Sequence, residues 1–164
     1  MSVAFAFHPR HSGLLVAAAS VASLAFAFIA QYGFGLAPCE LCIWQRWPYT
    51  ASILLGLAAL LMPRWRGPLL VLAALSFATG ASIAIFHVGV EEKWWQGLAS
   101  CGGAPTPKTL EELRAQLMTA PVVRCDEAAF RFLGLSMAGW NVIWAGLLAV
   151  FTAIAARRAF RENT

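Results

Sequence analysis

The sequence predicts an all-α integral membrane protein: an antiparallel bundle of four transmembrane helices, with a short amphipathic helix lying at the interface in the second exported loop. Three observations carry that expectation. Of the 164 residues, 60% are hydrophobic and only 12% are charged, far from the balance of a domain with a wet surface. Four runs, residues 11–38, 47–63, 67–90 and 132–156, carry no charge. Each approaches or exceeds the roughly 20 residues a helix needs to cross about 30 Å of hydrocarbon. The third observation is where the arginines fall: Arg10 before the first run, Arg64 and Arg66 between the second and third, and Arg157, Arg158 and Arg161 after the fourth. Basic residues are retained on the cytoplasmic side. Both termini and the middle turn are therefore expected in the cytoplasm, and the loops at about 36–46 and 90–131 on the exported side, the periplasm of a bacterium.

Residues 1–12 form a short polar head to which no role is assigned. The first span, about 13–35, is rich in Ala and Ser, and its early arginine suggests a signal peptide. The run is too long for one, and three further spans follow. The second span, about 43–62, is the shortest. Pro48 to Met62 alone would make about 22 Å of helix at 1.5 Å per residue, so the span must borrow from residues 43–47. That draws Arg46 to the membrane interface, where a charge is by default a functional candidate. It leaves Pro48 in the first turns, where its missing N–H costs least.

Pro63 and Gly67-Pro68 mark a tight turn into the third span, about 68–89. Ser76, Gly80 and Ala84 recur there at four-residue spacing, a small-residue stripe that lets helices approach closely. His87 lies on the same face and should look into the bundle near the level of Arg46. In the second exported loop, Trp94 and Trp95 suit an interfacial belt, and Cys101-Gly102-Gly103 suggests an accessible thiol. Thr109-Leu110-Glu111-Glu112 matches a capping box, with Leu110, Leu113, Leu117 and Met118 on one side of the helix it begins, and Pro121 ends that helix. The fourth span, about 132–156, contains Asn141, expected to bond between helices.

All four cysteines, Cys39, Cys42, Cys101 and Cys125, fall in the exported loops, where disulfides persist. Cys39 and Cys42 are separated by two residues, so a bond between them closes almost no loop and stabilises little. That spacing suits a redox switch. A helix starting just after Cys42 would put this sulfur at its positive end with Arg46 one turn away, both favouring thiolate. Two dithiols on one membrane face suggest electrons handed on by thiol–disulfide exchange, the loop pair meeting a soluble partner and the other pair a lipid-soluble oxidant such as a quinone. The formal charge of +4 is accounted for by topology, and no basic stripe with interleaved aromatics points to nucleic acid.

Cys39-Glu40-Leu41-Cys42, Gln45-Arg46, His87, the Cys101 and Cys125 pair, and Phe132-Leu133-Gly134-Leu135-Ser136-Met137-Ala138-Gly139-Trp140-Asn141 together resemble the DsbB family of quinone-dependent disulfide generators. The resemblance covers essentially the whole chain as a single membrane domain, residues 1–164. It implies a bacterial inner-membrane oxidoreductase that re-oxidises a periplasmic, DsbA-like thioredoxin-fold protein and passes the electrons to ubiquinone or menaquinone. By the same resemblance Cys39 and Cys42 are the pair that quinone re-oxidises, with Cys42 facing the quinone ring. Arg46 stabilises thiolate and quinone charge, and His87 helps bind or protonate the quinone. Cys101 forms the mixed disulfide with the partner, and Cys125 resolves it.

Two other readings use the same residues. Cys39, Cys42 and His87 could bind zinc or copper in a metal-handling membrane protein, but that leaves Cys101 and Cys125 without a purpose. A vitamin K epoxide reductase-like protein also has four spans, four cysteines and a quinone. In that family the quinone-side C-x-x-C follows the loop pair, whereas here it precedes it.

Overall fold

The computed structural model describes residues 9–98, 109–111, 114 and 123–162. Four long helices run antiparallel. Helix α1, Pro9–Phe28, continues into a π-helical turn, Ile29–Gly33, and the chain is then extended as far as Cys39. A five-residue helix α2, Glu40–Trp44, is separated by Gln45 alone from α3, Arg46–Leu61. A 3-10 turn, Pro63–Trp65, leads into α4, Arg66–Glu91. Strands β1, Arg131–Phe132, and β2, Leu135–Ser136, form a small hairpin, and α5, Met137–Glu162, closes the chain.

Among the described residues three helices, α1 with its π turn, α4 and α5, are long and apolar enough to cross a membrane. Helix α3 is shorter, at 16 residues. With α2 and Gln45 it makes a helical stretch of roughly 33 Å at 1.5 Å per residue. The bundle is a membrane protein's in its side-chain distribution. Its interior is built largely from Ala59, Ala73, Ala84, Ala145, Ala155 and a few large residues such as Leu70 and Phe77, while Phe26, Leu54, Leu61, Leu75 and Val150 point outward. Lipid gives no reason to hide leucine, so helices gain by bringing backbones together through small residues.

Two such contacts fix the bundle. A Cβ added to Gly13 would lie 2.7 Å from the Gly56 carbonyl oxygen, and one added to Gly56 would lie 2.7 Å from that of Gly13. At this point α1 and α3 touch backbone to backbone. The stripe on α4 packs against α3 where Ser76 Oγ donates to the Pro48 carbonyl at 2.9 Å, and a Cβ on Gly80 would meet Pro48 Cβ at 3.2 Å. Ala84 and His87, further along the same face, are buried.

The fourth helix does not begin near residue 132. Ser136 accepts the Gly139 N–H at 3.1 Å and caps α5 three residues earlier in the chain, so the helix starts at Met137. The residues before it make the hairpin, whose turn puts Leu133 at φ 51° and Gly134 at φ 83°, the left-handed pair that a two-residue hairpin requires. Arg131 bonds Glu92 at 2.8 Å, and Trp140 Nε1 donates to the Phe132 carbonyl at 3.0 Å, so the hairpin is tied to the ends of both α4 and α5. Of the expected interfacial helix, Leu110, Glu111 and Arg114 are helical. Its other residues, Cys101 and Pro121 lie outside the described residues.

Candidate functional site

The site forms at the end of the bundle away from the arginine-rich turn. Cys39 is the N-cap of α2, and its sulfur accepts the Cys42 N–H at 3.3 Å. The helix thus begins at Glu40, one turn earlier than a start after Cys42, and it is Cys39 that occupies the positive helix end. The two sulfurs stand 3.0 Å apart. His87, reaching across from α4, places Nε2 3.5 Å from the Cys39 sulfur and 3.8 Å from a Glu91 carboxylate oxygen. The hydrogen bond from the Cys42 thiol outweighs burial and, with the His87 contact, holds the Cys39 thiol down at about 4 against its ordinary 9.0. Negative charge in the reduced pair therefore rests on Cys39.

Behind His87 a buried polar chain links three helices. The Gln45 amide nitrogen bonds His87 Nδ1 at 2.8 Å and the Leu41 carbonyl at 3.3 Å, while its oxygen accepts from Asn141 Nδ2 at 2.6 Å. The Tyr49 hydroxyl donates in turn to the Asn141 oxygen. Asn141 does bond between helices, as its place in the fourth span suggested. With the Gln45 amide oriented this way its nitrogen is the donor to Nδ1, the arrangement in which the ring proton sits on Nε2, facing the sulfur. Arg46 is anchored separately: Nη1 donates to Gln31 at 2.8 Å, and the guanidinium carbon lies 4.9 Å from the centre of the Phe28 ring. The π turn after α1 is what carries Gln31 within this reach.

A cavity of about 770 Å³ opens beside these residues. Cys42, Gln45, Arg46 and His87 form its polar end, and Ala22, Ala27, Phe132, Trp140 and Trp144 are among its apolar walls. A much smaller cavity, about 40 Å³, lies on the other side of the pair and is bordered by Cys39, Cys42, His87, Glu91, Arg124 and Glu127. Cys125 is fully buried next to it, in one apolar cluster with Cys39, Leu41 and Val90, and is disulfide-bonded.

Of the residues singled out in the sequence, Cys39, Cys42, Arg46 and His87 converge, and Cys125 packs close to Cys39. Gln45, Gln31, Tyr49 and Glu91 were not anticipated as partners. Glu91 had a signal, since it stands one helical turn after His87. The others are polar residues whose partners lie on different helices. The ligand atoms of Cys39, Cys42 and His87 lie within 4.8 Å of one another. A metal at Nε2 would need the ring proton on Nδ1 and the Gln45 amide turned over, with its oxygen against the Leu41 carbonyl. A quinone head fits better: the large cavity is within the usual size range for small-molecule sites and is apolar, with a few convergent polar groups at one end.

The family described as "Disulfide bond formation protein DsbB" matches residues 9–155. The chain is 34% identical over 149 residues to a disulfide bond formation protein B of Xanthomonas oryzae pv. oryzae, covering 85% of this chain and 86% of that protein. It is 31% identical over 152 residues to a disulfide bond formation protein B of Cupriavidus pinatubonensis, covering 86% and 88%. An uncharacterized protein of Rickettsia prowazekii is 27% identical over 141 residues, covering 84% and 82%. No solved structure matches the chain. With the cysteine pair capping a helix beside a buried histidine, four long helices around it, and a family match over almost the whole length, the chain belongs to the DsbB family of disulfide bond formation proteins.

Proposed function

We propose that this protein re-oxidises a DsbA-like thioredoxin-fold dithiol on the exported face of the bacterial inner membrane and passes the electrons to membrane quinone. One observation carries the reading. Among the described cysteines only Cys42 lines the large apolar cavity, while Cys39 borders the small one and packs with Cys125. The pair thus has one sulfur toward a lipid-soluble acceptor and the other toward the loop.

The electron path runs from the partner's thiols to Cys101 and Cys125, then by exchange to Cys39 and Cys42. Quinone, when bound, supplies the acceptor of two electrons and two protons, and the partner's two thiols supply both. Arg46, held by Gln31 and Phe28, keeps a positive charge at the polar end of the cavity. His87 holds its Nε2 proton against the Cys39 sulfur, and the apolar walls limit water at Cys42. The reading puts both termini in the cytoplasm, and the positions of the arginines support it.

The test is the quinone absorbance band of detergent- or nanodisc-embedded protein after addition of reduced DsbA-like protein, with Cys42→Ala and Cys101→Ala alongside. Catalytic loss of the band, abolished by either substitution, is expected. A band that never moves while the partner stays reduced would remove the proposal.

A further inference from the structure

The buried chain running from Tyr49 through Asn141 and Gln45 to His87 has a direction, and that direction is set by one carbonyl. The Gln45 amide could in principle sit either way round. As placed, its nitrogen meets two acceptors, His87 Nδ1 at 2.8 Å and the Leu41 carbonyl at 3.3 Å, and its oxygen meets the Asn141 amide nitrogen at 2.6 Å. Turned over, its oxygen would face the Leu41 oxygen and its NH2 the NH2 of Asn141. Turning Asn141 as well repairs the second conflict, because the Tyr49 hydroxyl can accept as readily as donate. It leaves the first, oxygen against oxygen inside a site where Gln45 is 7% and His87 3% exposed. Such an unmatched buried contact costs more than the bond it replaces.

We infer that Gln45, its direction set by the Leu41 carbonyl, is a positioning residue that locks His87 as the Nε2–H tautomer, so that its single proton is offered to the Cys39 sulfur; Asn141 and Tyr49 follow that direction and complete the hydrogen bonds of the chain. Glu91 stands beside the same proton, its nearer oxygen 3.8 Å from Nε2, a few tenths of an ångström beyond a hydrogen bond, and its other oxygen buried with no hydrogen-bond partner. In the reduced pair the Nε2–H faces a thiolate, a strong acceptor. When Cys39 is in a disulfide its sulfur accepts weakly, and the proton turns to Glu91. No proton leaves the ring in this exchange of partners. The value of the lock for electron transfer rests on the function proposed above; the tautomer itself does not.

The experiment is nitrogen NMR of the full-length protein, labelled with 15N-histidine, reduced, and free of quinone and partner. A His87→Asn sample identifies its signals among those of the three histidines. The expected wild-type pattern is a bare Nδ1 and a protonated Nε2. Asn141→Asp provides the decisive change, since a carboxylate only accepts. Gln45 must then turn its NH2 toward the new carboxylate and its oxygen toward Nδ1, which gains a proton. Asn141→Leu imposes no direction and should keep the wild-type pattern, because Leu41 still holds Gln45. Should Asn141→Asp fail to fold, Gln45→Glu presents an acceptor to Nδ1 directly and is expected to protonate it.

In turnover with quinone, Asn141→Asp should be slower than Asn141→Leu by roughly tenfold, the loss of one hydrogen bond to a charged sulfur. A protonated Nδ1 in the neutral wild-type ring, or a bare Nδ1 in both carboxylate variants, overturns the inference. The expected NMR pattern in a protein that never reduces quinone would leave the lock standing and remove the functional reading.

Discussion

Cys39 is ionised more easily than Cys42 because three features converge on it: the hydrogen bond shared with the Cys42 thiol, the His87 ring, and the Cys42 backbone N–H at the start of α2. The spacing of the two cysteines showed that they could meet, but it did not show which would carry the charge. Arg46, four residues after Cys42 in the chain, pointed to Cys42 instead. The helix begins before Cys42, and Arg46 is engaged by Gln31 and Phe28. A thiol lowered from 9.0 to about 4 is thiolate throughout the neutral range. Alkylation of Cys39 in the reduced protein should therefore vary little with pH there, whereas a free thiol gains rate with each rise in pH. Cys42→Ala removes the largest cause and should move the midpoint of the rate profile upward, measured by mass spectrometry after timed alkylation. Folded protein binds fewer protons at Cys39 than unfolded protein does between the two values. The reduced form should thus gain stability as pH rises toward 9.0 and lose this contribution as pH falls through about 4.

Among the helices, legibility depended on whether a signal was local to one segment. The stripe of Ser76, Gly80 and Ala84 repeats within a single helix and could be read from spacing alone. The contact of Gly13 with Gly56 could not, because a single glycine in a span makes no repeat and only the relative register of α1 and α3 pairs the two. The hairpin escaped for another reason: two-residue strands are too short for alternation to show, and Leu133-Gly134 lie at the head of a charge-free run that read as the start of a helix. The glycine pair gives a prediction on this scale. With backbone atoms 2.7 Å from the added Cβ, neither helix can give way by rotating a side chain. Gly56→Ala should destabilise the bundle by about 1–3 kcal/mol, the usual cost of overpacking. Gly146→Ala, where nothing lies within 4 Å, should be close to neutral or slightly stabilising. Thermal unfolding in one detergent compares the two, and equal midpoints would mean that α1 and α3 are not in backbone contact.

For the molecule as a whole, the arginines and cysteines sort the chain into two ends, and the structure keeps that division. Gly67 at the α3–α4 turn packs against Phe160 near the end of α5, while Arg46, His87 and Asn141 gather at the opposite end. Charge placement made this much legible because orientation in a membrane is set by a few basic residues. How the long second loop returns to the bundle was not legible, since its docking depends on tertiary packing around Cys125. That residue is fully buried with Cys39, Leu41 and Val90, so the end of the loop is part of the core beneath the site. In a Cys42→Ser, Cys101→Ser protein the remaining two cysteines, Cys39 and Cys125, should join in a disulfide on mild oxidation without any rearrangement of the helices. Non-reducing gel mobility and a free-thiol count would register the bond. If both thiols persist under oxidant while the protein stays folded, the loop end is not seated against the pair, and electrons would need a larger motion to reach Cys39.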